Sequence, residues 1–328
     1  MEYKSIYGPI SLTYHVSRKY NKKVYIFGEF HSSKYHCKKP GGSIAFDKFV
    51  QKTLSYNKDK IIDIYTEEEF IKKSIYKTRK RSGWARNRGS SALDKMTKTF
   101  KDCLTVSKKH CKDKNVRIHY TDIRSIGNIL SLKFGHWNIA DMLSILVKVW
   151  DNKKEFISMK HKIERSDFNE YLKFDQIFDT LKITKQLNKN PDTQLRKKIQ
   201  KFFVKKLSEK VFKNLDKRVK ELYKYIYEQI KMDNYPLEEI KDLRKIFKHL
   251  FQYNNLLMDF YLIGRMFKRF DDQLHPYAEN VMILAGDAHC KTYRELLKYL
   301  GFRKMKSSYS TKEENCIDIS GFKQPFFS

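Results

Sequence analysis

The chain has 328 residues, 41% hydrophobic and 14% aromatic, and a formal charge of +30 from 68 Lys and Arg against 38 Asp and Glu. That apolar content offsets chain entropy and excludes an intrinsically disordered protein, and the length suits one large domain or a domain with a substantial insertion. The charge selects no function by itself: it draws nucleic acid, anionic membrane or acidic substrates, and A+T-rich coding also produces this abundance of Lys, Ile, Asn, Tyr and Phe beside only 12 Gly and 6 Pro.

Residues 23–27 (Lys-Val-Tyr-Ile-Phe) form a short β-branched and aromatic run ending at Gly28, the pattern of a buried strand that stops in a turn. A second run, Ile61 to Tyr65, leads into the acidic triplet Glu67-Glu68-Glu69. The third, Val116 to Tyr120, leads into Asp122-Ile-Arg124, and the fourth, Asn280 to Ala285, ends at Gly286. Helical spacing separates them at Ile44 to Leu54, Ser91 to His110 and Thr292 to Leu300. This alternation predicts an α/β fold, a central mostly parallel sheet flanked by helices, with chemistry at the carboxyl ends of the strands.

From about 137 to 275 the pattern changes to helical spacing alone, which predicts a large all-helical insertion between core segments 1–136 and 276–328. Its clearest stripe runs Leu195, Ile199, Phe202, Leu207, Val211, Leu215, Val219, Leu222, Ile226, Ile230, between Pro191 and Pro236. From Ile71 to Leu93 there is no acidic residue, and Arg79, Arg81, Arg86 and Arg88 surround Trp84. This basic loop is a candidate lid or polyanion contact, with Trp84 available for stacking.

Five cysteines without CxxC pairs argue against a disulfide framework and a zinc ribbon and point to a reducing compartment. The amino terminus lacks the apolar stretch of a signal peptide, and no run approaches the ~20 apolar residues of a membrane span. The expectation is an intracellular, cytoplasmic protein, or one of host cytoplasm or virion should the chain be viral.

Gly-x-x-His occurs twice, as Gly28-Glu29-Phe30-His31 and Gly286-Asp287-Ala288-His289, each ending an expected strand with an acid directly after the glycine. In an extended segment, side chains at i and i+2 share a side, which predicts pairing of Glu29 with His31 and of Asp287 with His289. Two imidazoles and several carboxylates at a sheet end suit either a divalent metal with an activated water or general acid–base chemistry. These motifs, with the acid after the second strand, resemble the superfamily of erythromycin esterase-like, ChaN-like and Tiki/TraB/GumN proteins. The resemblance covers roughly residues 20–125 and 275–300 and implies an α/β core interrupted by helices, with hydrolysis of ester or peptide bonds. It implies His31 and His289 as the paired histidines and Glu67 as the intervening glutamate. In some members a metal such as Mn, Co or Zn would be held by that set, and in others hydrolysis proceeds without one.

On this reading His31 and His289 bind metal or act as base and acid, Glu67 activates water, and Glu29 and Asp287 orient the histidines. Asp122 and Arg124 follow the third strand into the same crevice, Asp122 to bind metal or orient a histidine and Arg124 to clamp a small-molecule or peptide substrate. His119 lies beside them, whereas Asp259 and Arg265 read as structural and Cys290 as a packing thiol. The alternative, motivated by the charge and the Trp84 loop, is a nucleic-acid-associated or virion-packaged binding protein on a catalytically degenerate scaffold of the same kind.

Overall fold

The computed structural model describes residues 2–30, 41–69, 91–100, 103, 113–122, 183–207, 243–310 and 314–328. Their contacts divide into two compact units, one of Met1–Asp122, Lys189–Asp192 and Arg265–Ser328, the other of Ile123–Asn188 and Thr193–Gly264.

The first unit is a mixed sheet flanked by helices, an α/β arrangement. Its strands are β1 (Ser5–Tyr7), β2 (Ser11–Ser17), β3 (Lys22–Glu29), β4 (Ser43–Ala45), β5 (Ile62–Glu69), β6 (Val116–Asp122), β7 (Asn280–Gly286), β8 (Arg303–Tyr309) and β9 (Cys316–Asp318). Its helices are α1 (Phe46–Tyr56), α2 (Ala92–Thr99) and, after β7, the segment Asp287–Tyr299. Six strands form the main sheet in the order β6-β5-β7-β3-β2-β8, and a small sheet has the order β4-β1-β9. β6, β5, β7 and β3 run parallel, while β2 is antiparallel to both β3 and β8. The four parallel strands are the four apolar runs of the sequence, buried on both faces as parallel strands must be.

Alternation along these strands sorts the two faces. Tyr25, Phe27, Ile62, Ile64, Val116, Ile118, Met282 and Leu284 share one core with Phe46, Phe49, Val50 and Leu54 of α1, Leu93 and Met96 of α2, and the C-terminal Phe326 and Phe327. Tyr25 stacks between Tyr14 and Phe326, with centroids 4.2 and 4.1 Å away. The helix Asp287–Tyr299 packs against β3 and β7 and buries Cys290, Tyr293, Leu296 and Leu297.

In the second unit the described residues form α3 (Ile183–Asn188), α4 (Thr193–Leu207) and α5 (Leu243–Met266), the last two residues of which belong to the first unit; the helix Asp287–Tyr299 is α6. Leu195, Ile199 and Phe203 of α4 are buried, and Phe203 meets Phe260 of α5 at 4.8 Å. A Cβ on Gly264 would stand 3.4 Å from the backbone nitrogen of Leu187, so the glycine admits a close approach of α5 to α3. Of the expected insertion 137–275, residues 183–188, 193–207 and 243–266 are thus helical, Arg265 to His275 belong to the sheet-bearing unit, and the remainder up to 242 lies largely outside the described residues.

Several expectations are corrected. The last helix begins at Asp287, directly after β7, instead of at Thr292; α2 ends at Thr99 within the span expected to reach His110. In α4 the inward aromatic is Phe203, with Phe202 only half-buried. Cys103 and Cys316 are disulfide-bonded and Cys290 is a buried free thiol, so the reduced set expected from an odd count does not hold. An odd count requires only that one thiol be left over. Among the described residues no helix is long and apolar enough to cross a membrane.

Candidate functional site

β3 and β7 are parallel neighbours although some 250 residues separate them, and Glu29 stands in register with Gly286. The strand-end halves of the two Gly-acid-x-His motifs therefore lie side by side at the carboxyl end of the sheet. His31 lies outside the described residues, as do Arg124 and the basic loop with Arg79, Arg81, Trp84, Arg86 and Arg88.

β5 pairs with β7 as far as Thr66, and its register against β6 shifts between Thr66 and Glu69. There the side chain of Glu67 takes over from the ladder. Its Oε2 accepts a 2.7 Å hydrogen bond from the Gly286 N–H, and its Oε1 lies 3.5 Å from Nε2 of His289. Both side chains are 5% exposed. Gly286 is the N-cap of α6, so the carboxylate sits where the helix end carries positive partial charge. Glu67 of the triplet is thus placed beside a motif histidine.

The expected pairing of Asp287 with His289 does not form. Both lie in the first turn of α6, where residues two apart point nearly oppositely around a 3.6-residue turn. Asp287 Oδ1 instead accepts hydrogen bonds from Ser11 Oγ at 2.5 Å and Arg294 Nη2 at 2.7 Å. Gly28 makes room for this: a Cβ there would overlap both Asp287 Oδ1 and Ser11 Oγ. Ser11 and Arg294 were not singled out in the sequence, although Arg294 falls two helical turns after Asp287 once the helix is started there. Glu29 is buried with Oε2 accepting the Leu93 N–H at 3.0 Å, so it braces the first turn of α2 as well as standing beside Gly286. Asp122 is buried at the carboxyl end of β6.

His119 belongs elsewhere. Its Nε2 meets Asp63 Oδ1 at 2.8 Å and its Nδ1 meets Arg265 Nη2 at 3.2 Å, while Tyr65 and Phe270 stack on its ring. Arg265 can only donate, so Nδ1 accepts and Nε2 carries the proton given to Asp63. Arg117 closes the cluster with two 2.8 Å bonds to Asp63. Burial drives the His119 pKa down to about 4, against the opposing pull of Asp63. Burial would raise the Asp63 carboxyl, but bonds from His119 and Arg117 outweigh it and hold it below the usual value. Arg265, expected from the sequence to be structural, donates to the ring of His119. The Cys290 thiol is tied to the carbonyls of Phe27 and Ala285, at 3.4 and 3.5 Å, in a packing role.

Among the described residues no group of three or more His, Cys, Asp or Glu side chains is disposed to hold a metal ion; His289 and Glu67 bring two donors together. No family model matches the chain, and neither the curated proteins nor the solved structures returned a match.

Proposed function

We propose that the chain is a hydrolase of ester or peptide bonds whose working pair is Glu67 and His289. The observation that carries this reading is the Glu67–His289 pair itself, held at the carboxyl ends of adjacent parallel strands, where α/β sheets bind their ligands. The 3.5 Å separation exceeds a good N–H···O bond and suits a pair that tightens on substrate. Glu67 takes a proton from water as the oxygen attacks the acyl carbon, His289 gives a proton to the alcohol or amine as the acyl bond to it breaks, and the proton on Glu67 passes to His289 to restore both. The Gly286 N–H keeps one Glu67 oxygen fixed so that the other faces the histidine. Ser11, Asp287 and Arg294 secure the first turn of α6 and with it His289.

The resemblance to the erythromycin esterase-like, ChaN-like and Tiki/TraB/GumN superfamily supports the reading and extends it in two respects. The helices α3, α4 and α5 up to Gly264 would belong to a helical insertion into the hydrolase core, and a divalent ion (Mn, Co or Zn) would find His289 and Glu67 as two of its ligands and His31 as a third. The test is a panel of aryl esters and fluorogenic peptides given to the full chain before and after chelation, with each metal restored. Metal content is measured in parallel for His31→Ala and His289→Ala. Turnover that is lost in both Glu67→Gln and His289→Ala while circular dichroism is unchanged is the expected result. Turnover retained in both variants removes the proposal.

A further inference from the structure

We infer that the exposed face of α4 binds the sugar-phosphate backbone of nucleic acid, a role independent of the Glu67–His289 pair. From Thr193 to Leu207 the helix holds Arg196, Lys197, Lys198, Lys201, Lys205 and Lys206 and no acidic residue. Its apolar side is occupied, because Leu195, Ile199 and Phe203 are all buried. Gln194, Lys197, Lys198, Lys201 and Lys205 are exposed. At 100° per residue Lys197 and Lys198 bound an arc of about 100° that also contains Lys201 and Lys205, spread over about 12 Å of helix axis. One strand of duplex DNA presents about three or four phosphates over the same length, one per ~3.4 Å. The helix is therefore a rod of one sign matched in length and charge to a phosphate row.

Two other occupants fit less well. An interfacial membrane helix sinks its apolar face into the bilayer, and here that face is spent on the protein's own core. A protein partner would need aromatic or large apolar anchors at its centre, where lysine is depleted. The only exposed large hydrophobic residue on α4 among those described is Val204, 62% exposed. A phosphate backbone asks for neither.

The test measures binding of the full chain to a short labelled duplex and to its separated strands by fluorescence anisotropy across a salt series. Lys197, Lys198 and Lys201 are changed together to Ala, which keeps helix propensity high; a Gln triple serves if the Ala variant loses helicity. A matched control removes the same charge from the exposed cations of β8, Arg303, Lys304 and Lys306. The expected result is that the α4 variant loses about 2–3 units from the slope of log affinity against log salt, near 0.9 per phosphate contact, and at least tenfold in affinity at low salt. The β8 control should lose less than half of that. Equal losses in both variants would mean that bulk charge alone binds, and would overturn the assignment. So would an absence of binding at low salt, or binding of anionic vesicles in place of either nucleic acid.

Discussion

Two carboxylates of strand β5, Asp63 and Glu67, each lie beside a histidine, and the two pairs differ in almost everything else. Asp63 meets His119 at 2.8 Å, with arginines on both partners and two aromatic rings stacked on the imidazole. Glu67 meets His289 at 3.5 Å, with a backbone N–H on one oxygen and the mouth of the sheet beside it. A histidine next to an acid is therefore a weak sign of chemistry. What separates the brace from the proposed working pair is how tightly acid and imidazole meet and which end of the parallel strands they occupy.

The largest expected effect breaks the comparison by activity. For the hydrolysis proposed above, His289→Ala should cost about 10²–10⁴-fold in turnover, the usual worth of a general acid or base, whereas His119→Gln should leave the rate of the folded protein within a few-fold. Equal losses would erase the distinction. Stability should behave in the opposite sense. Asp63→Ala strands Arg117 and His119 in the interior and should cost about 3–5 kcal/mol in urea unfolding, while Glu67→Gln should cost well under half as much. An Asp63→Ala protein as stable as the parent would show that the brace supports nothing.

Proton linkage sharpens the contrast further. The unfolded chain binds a proton on His119 near pH 6.5 and the folded chain only near pH 4. The unfolded state thus holds more protons between those values, so stability is complete above about pH 6.5 and declines as pH falls toward 4. His119 should contribute up to about 3 kcal/mol of that decline. Burial puts His15 near 4 as well, so it adds a loss of the same sign. His119→Gln should remove its own share, and an unfolding free energy with an unchanged pH slope would contradict the assignment. The smallest effect concerns the far side of the site. Gly28→Ala pushes a methyl group against Asp287 and Ser11 and should destabilise by about 1–3 kcal/mol. A neutral result would mean that the Ser11–Asp287–Arg294 cluster yields easily and does not fix α6.

The parallel core was legible because strands buried on both faces are continuous apolar runs, as in Val24 to Phe27 and Val281 to Ala285. β2 was not, since Ser11, Thr13, His15 and Ser17 alternate with its apolar residues and are themselves buried. β8 was not either: Arg-Lys-Met-Lys-Ser-Ser-Tyr is almost wholly exposed and owes its strand form to backbone pairing with β2. At the site, the sequence offered His289 from a strand-end motif and Glu67 from the resemblance, and the two side chains lie 3.5 Å apart. It misjudged Asp287, because treating Gly-Asp-Ala-His as extended ignored the inward spacing of Cys290, Tyr293, Leu296 and Leu297, which places Asp287 at the head of a helix. The cysteines misled for a different reason: parity counts thiols and says nothing of which come near one another.

β7 lies between β5 and β3, yet it begins only at residue 280. During synthesis, the pair β5–β6 and the pair β2–β3 must wait as separate halves, each with an open hydrogen-bonding edge, until β7 leaves the ribosome. Assembly is consequently late and dominated by distant pairings, which favours slow folding. A truncation before β7 would leave two sticky half-sheets and no Glu67–His289 pair.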